Sequence, residues 1–87
     1  MPTPELIERV RSLRDELGET QPDPALAPSV EELKAQADRV LAEPDHVPHY
    51  KTLGDRLLFH YVGFQIDHPK LAASMQGVVD SLAKAGL

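Results

Sequence analysis

The chain has 87 residues, 41% of them hydrophobic, no cysteine, and a formal charge of −5 from 14 acids against 9 bases. A length of this order makes one domain, and without cysteine no disulfide can staple it. Residues 1–44 carry 10 acids and 5 bases, residues 45–87 carry 4 of each, and neither half has the clustered Lys and Arg that grip nucleic-acid phosphates or an anionic membrane.

A chain this small buries only about 60–65% of the surface it exposes when unfolded. Self-association is therefore a natural source of extra stability. The start Met1-Pro2-Thr3-Pro4-Glu5 has no basic residue and no signal-type apolar run behind it. The longest apolar run is Leu57-Leu58-Phe59, resumed after His60 by Tyr61-Val62, far short of the roughly 20 residues of a membrane span. These features, with the missing cysteine, fit a cytoplasmic protein.

Helix 1 is expected over about 4–17. Thr3 is a suitable N-cap, and Pro4 fits the first helical position because its missing N–H is an orphan there anyway. Leu6, Val10, Leu13 and Leu17 step by 4, 3 and 4 residues, a heptad-like seam that Ile7 widens. Glu5 and Arg9 form an i,i+4 pair in the favourable order. Gly18 is placed to end the helix in a left-handed cap.

Residues 18–28 hold Pro22, Pro24 and Pro28, and prolines at this density predict a connector without regular structure. Its length would let helix 1 reach a neighbouring subunit. Helix 2 is expected over about 29–43: Ser29-Val30-Glu31-Glu32 reads as a capping box, and Pro44 ends it. Val30, Leu33, Ala37 and Val40, with Leu41 beside them, make a thin apolar face.

The segment 50–66 is the most apolar in the chain and predicts a central helix 3. Tyr50, Leu53, Leu57, Tyr61 and Phe64 share one stripe on a 3.6-residue period. Leu58, Val62 and Ile66 form a second, and Phe59 lies further round. The arc exceeds the roughly 100° a surface helix needs, so helix 3 is expected to be covered on two sides, by another helix or by a second copy. Asp55 and Arg56 mark its wet side. Gly54 and Gly63 each cost about 1 kcal/mol relative to Ala, which a close helix contact, or else a kink or a late start near Leu53, would explain.

Asp67-His68-Pro69 forms the next turn, with Asp67 or His68 capping helix 4 over about 69–85. So short a connector makes helices 3 and 4 an antiparallel hairpin. Leu71, Met75, Val78 and Leu82 make its seam, with Ala72 and Val79 alongside. Ala72, Ala73, Ser74 and Gly77 permit close helix approach. Lys84 suits the negative helix end and Gly86 the position after it. The fold class expected is all-α, a four-helix antiparallel bundle-like domain with a C-terminal helical hairpin, spanning 1–87.

The run Phe64-Gln65-Ile66-Asp67-His68-Pro69-Lys70-Leu71, followed by Val78-Val79-Asp80-Ser81-Leu82-Ala83 and a closing Gly86-Leu87, resembles a family of short bacterial proteins of unknown function. The matching patterns are Phe-x-x-x-His-Pro-x-Leu and Leu-Ala-x-x-Gly. The likeness is most specific over residues 57–87, while helices 1 and 2 agree in general character. It implies a compact helical protein and carries no reaction with it.

Catalytic chemistry finds little support. Ser12, Ser29, Ser74 and Ser81 have no Gly-x-Ser-x-Gly elbow around them, and no glycine-rich phosphate loop exists. Helix–turn–helix DNA binding fails because Lys70 and Lys84 are the only bases on helix 4. Nothing calls for a cofactor.

His46 and His49, three residues apart beside Glu43 and Asp45, could hold a transition metal with a third ligand, although Pro44 breaks the helical Glu-x-x-His spacing. His60 reads as a residue on the border of the core with a satisfied hydrogen bond, or as part of a pH-sensitive interface. The function expected is therefore a non-enzymatic protein-interaction module, a small regulatory or adaptor protein that forms a homodimer with Leu58, Val62, Ile66 and Phe59 as contacts. The alternative is a metal- or small-ligand-binding protein built on the His46/His49 loop.

Overall fold

The four periodic segments fold into four helices. The computed structural model describes residues 2–87. Its elements are α1 (Pro4–Glu19), α2 (Ala27–Ala42), α3 (Val47–Gln65) and α4 (Pro69–Lys84), with no strand among the described residues. Each helix packs on its neighbours in sequence, α4 closes back on α1, and no pair approaches across a diagonal. With connectors this short, that ring is an up-down-up-down bundle. The Cα radius of gyration is 11.9 Å, against about 12 Å for a compact chain of this length.

The seams read from the sequence form one core. Leu6, Val10, Leu13 and Leu17 face Val30, Leu33, Ala37 and Val40, and Tyr50, Leu53, Leu57 and Phe64 of α3 complete it with Leu71, Met75, Val78 and Leu82 of α4. At Gly54 the α3 backbone lies close against α4: an added Cβ would be 2.9 Å from Leu82 Cδ1. Gly63 is less tight, with Leu26 Cδ2 at 3.5 Å from the same notional atom. Tyr61 is only partly buried, at the edge of the core.

The helix ends differ from expectation in several places. Thr3 caps α1 as expected, its hydroxyl accepting from the Leu6 amide at 3.1 Å. Gly18 does not end α1. The helix runs on to Glu19, and the Thr20 amide and hydroxyl both donate to the Glu16 carbonyl, at 2.9 and 2.7 Å. The Ser29 capping box does not form either. A turn over Pro24–Leu26 starts α2 two residues earlier, with the Asp23 carboxylate accepting from the Leu26 amide at 3.2 Å. Pro28 then sits inside the first helical turn. Pro is tolerated there, which is why its presence did not extend the connector.

The α3 helix also starts early, at Val47, with Pro48 in its first turn. His68 is the N-cap of α4, but neither its side chain nor that of Asp67 makes a capping bond. At the other end Gly86 has φ 77°, and the Leu87 amide donates to the Leu82 carbonyl at 2.9 Å while the Gly86 amide donates to that of Ala83 at 3.1 Å. That pair of bonds is a Schellman closure, for which glycine's freedom at positive φ is the requirement.

Candidate interaction surface

The cover of α3 is one-sided. Its inner stripe is shared between α2 and α4, and no third helix reaches its outer stripe. Leu58, Phe59, Val62 and Ile66 are consequently 56%, 69%, 73% and 88% exposed, and they are the large hydrophobic residues that stand out in water. Of the two covers expected, another helix or a second copy, the ring arrangement removes the first, because it gives each helix two neighbours and leaves its outer side free.

The four side chains form a strip because the backbone keeps them in line. Leu58, Val62 and Ile66 step by four residues, about 6 Å of rise each. Ile66 keeps helical dihedrals, φ −80° and ψ −53°, as the C-cap of α3. The N-terminal half of the same outer face carries Lys51, Thr52 and Asp55 instead. Towards α4 the strip continues at Leu58 into a shallow groove whose floor includes Gly54, Val79, Leu82 and Leu87.

On the α2 side the strip is bounded by charge. Arg56 donates from Nε to Glu32 Oε2 at 3.0 Å and from Nη2 to Oε1 at 2.8 Å. His60 Nε2 lies 2.5 Å from Glu32 Oε2. The same guanidinium stands 4.4 Å from the Phe59 ring centroid, and the His60 ring meets Phe59 edge-on at 5.0 Å. The Arg56 hydrogen bonds, seconded by His60, hold the Glu32 carboxyl below the usual carboxylate range, while Glu32 raises Arg56. This fork ties α2 to α3 and fixes Phe59 at the strip's edge. Sequence reasoning missed it, because Glu32 reads locally as the partner of Ser29 and nothing in the sequence pairs it with a residue 24 positions on.

The two histidines expected in a loop are not in one: His46 is the N-cap of α3 and His49 lies in its first turn, because the helix starts at Val47. His49 Nε2 lies 3.0 Å from Glu43 Oε1, which lowers the Glu43 carboxyl from its ordinary value. The His46 and His49 rings are 4.2 Å apart and tilted by 54°. Gln36, nearly buried, donates to the His49 carbonyl at 3.3 Å, and the buried Tyr50 hydroxyl donates to the Pro44 carbonyl at 2.6 Å. Among the described residues no group of three or more His, Cys, Asp or Glu is placed to hold a metal.

At the opposite end of the bundle, the Asp67-His68-Pro69 turn and Lys70 border a cleft with Glu16 and Glu19. The His68 ring lies 6.0 Å from that of buried Phe64, tilted by 59°, so the turn packs against the core. One oxygen of Glu16, Oε2, is buried without a hydrogen-bond partner. The four strip residues and the His46/His49 pair thus lie on separate parts of the molecule. No helix among the described residues is long and apolar enough to cross a membrane.

A family model described as a domain of unknown function (DUF4404) matches residues 6–87. No curated protein and no solved structure matches the chain.

Proposed function

We infer that this chain, which belongs to the DUF4404 family, is a non-enzymatic protein-interaction module whose working surface is the outer face of α3. The observation that carries this reading is the line of Leu58, Phe59, Val62 and Ile66 in solvent on a helix whose other side is fully packed. Scattered apolar residues on a surface need no explanation, whereas four side by side form a patch of the kind that often has a binding role, which supports the reading. The polar fork of Glu32, Arg56 and His60 gives the strip one of the charged rims that protein interfaces carry. That fork is engaged in bridging two helices, which supports a scaffolding role for the most concentrated set of ionisable groups on this face.

Val62→Glu tests the reading. The position is 73% exposed, so the variant keeps its helical circular-dichroism spectrum. Bound proteins recovered by chemical cross-linking in cells are expected to be lost with the variant bait and retained with the native one. Equal recovery by both baits overturns the assignment of this face.

A further inference from the structure

We propose that the occupant of the α3 strip is a second copy of this chain, docked antiparallel about a two-fold axis at Val62. The proposal rests on the reading of α3 as the working surface. Two observations point to a copy rather than to an unrelated partner, and a third gives the area on offer.

The first is the pattern itself. Leu58 and Ile66 lie four residues to either side of Val62. They are isomeric side chains of equal volume around a smaller one. A two-fold at Val62 sets Leu58 of each copy against Ile66 of the other, with the valines meeting where the helices cross. An isologous interface needs this self-complementarity.

The second is charge. The chain carries −5, so most approaches of two copies are repulsive. The α1 helix has five acids against three bases, whereas α3 has Lys51 and Arg56 against Asp55 alone. The α4 helix, with Lys70 and Lys84 against Asp80, shares this balance, so two copies meet least repulsion on the α3–α4 side, and on that side the exposed apolar strip lies on α3. Charge also selects the orientation. Lys51 and Asp55 stand exposed at the N-terminal end of the outer face and make no ion pair among the described residues. A parallel pair would set each against its own like charge. The antiparallel pair sends them to opposite ends.

The third is extent. Four side chains exposed by more than half bring roughly 300–500 Å² of apolar surface. That is about half of the roughly 800 Å² per partner of a standard interface. The adjoining α3–α4 groove, lined by Val79 and Leu87 among others, supplies further surface.

The absence of cysteine makes the test direct. Sedimentation velocity across a concentration series is expected to show a monomer–dimer equilibrium, with the dissociation constant raised about 100-fold or more in Val62→Glu. Single-cysteine variants then read the geometry. Val62→Cys is expected to form a disulfide-linked dimer under mild oxidation. A mixture of Leu58→Cys and Ile66→Cys is expected to give the mixed dimer in preference to either homodimer.

A native chain that stays monomeric throughout the series overturns self-pairing and leaves the α3 surface open to another protein. A dimer that survives Val62→Glu unchanged overturns both readings, because association then uses a different face. Homodimers of Leu58→Cys formed in preference to the mixed product overturn the antiparallel arrangement.

Discussion

Tyr50→Phe removes a single oxygen from the best-buried polar position in the bundle. Tyr50 is fully buried, and its hydroxyl donates to the Pro44 carbonyl at 2.6 Å, closing the α2–α3 connector onto the first turn of α3. A net hydrogen bond of this kind contributes about 0.5–1.5 kcal/mol, and a buried acceptor left unpaired costs about 1–3 kcal/mol. Pro44 is half-buried, so water recovers part of that loss, and the expected destabilisation is about 1 kcal/mol. For a domain of this size that lowers Tm by about 4–8 °C.

Thermal and urea unfolding of both proteins, read by circular dichroism, measure it. Burial, seconded by the nearby Asp45 charge, raises the Tyr50 phenol above its usual value. A phenol that is harder to ionise in the folded state leaves stability intact below the unfolded pKa, about 10, and erodes it as pH rises beyond that. The native protein therefore loses stability above pH 10 faster than the variant, and the gap between them narrows. Equal Tm values at pH 7, or a gap constant from pH 8 to 11, would refute the role given to this hydroxyl.

Two further outcomes follow from the packing and the fork. Gly63→Ala is expected to stabilise by up to about 1 kcal/mol, from helix propensity with room for the methyl. Gly54→Ala should gain clearly less, because its Cβ arrives 2.9 Å from Leu82 Cδ1; paired urea melts that rank the two the other way would show the α3–α4 contact to be looser than drawn. Glu32→Gln should cost about 0.5 kcal/mol near neutrality, discounted for a side chain 42% exposed. Since Glu32 is held below its ordinary value in the fold, its contribution is present above the unfolded pKa and lost as pH falls through the folded one. The native and Gln proteins should converge in stability on acidification, and a difference that persists into strong acid would count against the fork.

The seams of α1, α2 and α4 were legible because a one-sided amphipathic helix declares its buried face through period alone. Leu6 to Leu17, Val30 to Val40 and Leu71 to Leu82 all entered the core. The inner stripe of α3 was legible for the same reason. Its outer stripe was not, because period says which residues share a face and cannot say what lies opposite. Leu58, Val62 and Ile66 look the same in sequence whether a helix covers them or water does. Helix starts were misread where two local signals competed. Ser29 and Glu32 match a capping box, yet the Asp23 turn and Pro28 start α2 earlier, and Glu32 is spent on Arg56 and His60 instead. The His46/His49 pair showed donor spacing but not its geometry, since the contact that orients His49 is fixed by where the turn places Glu43.

The ring of contacts has a consequence for connectivity. The closing α1–α4 contact brings Thr3 and Glu5 beside Ser81, Lys84 and Ala85, so the two outer ends of the bundle lie side by side. The α1–α2 connector then has no topological privilege over a new join at that end. A rearranged chain, cut within 20–26 and spliced from the α4 end to the α1 start, would string the helices as α2, α3, α4, α1. It would preserve every helix–helix contact and leave the outer face of α3 untouched.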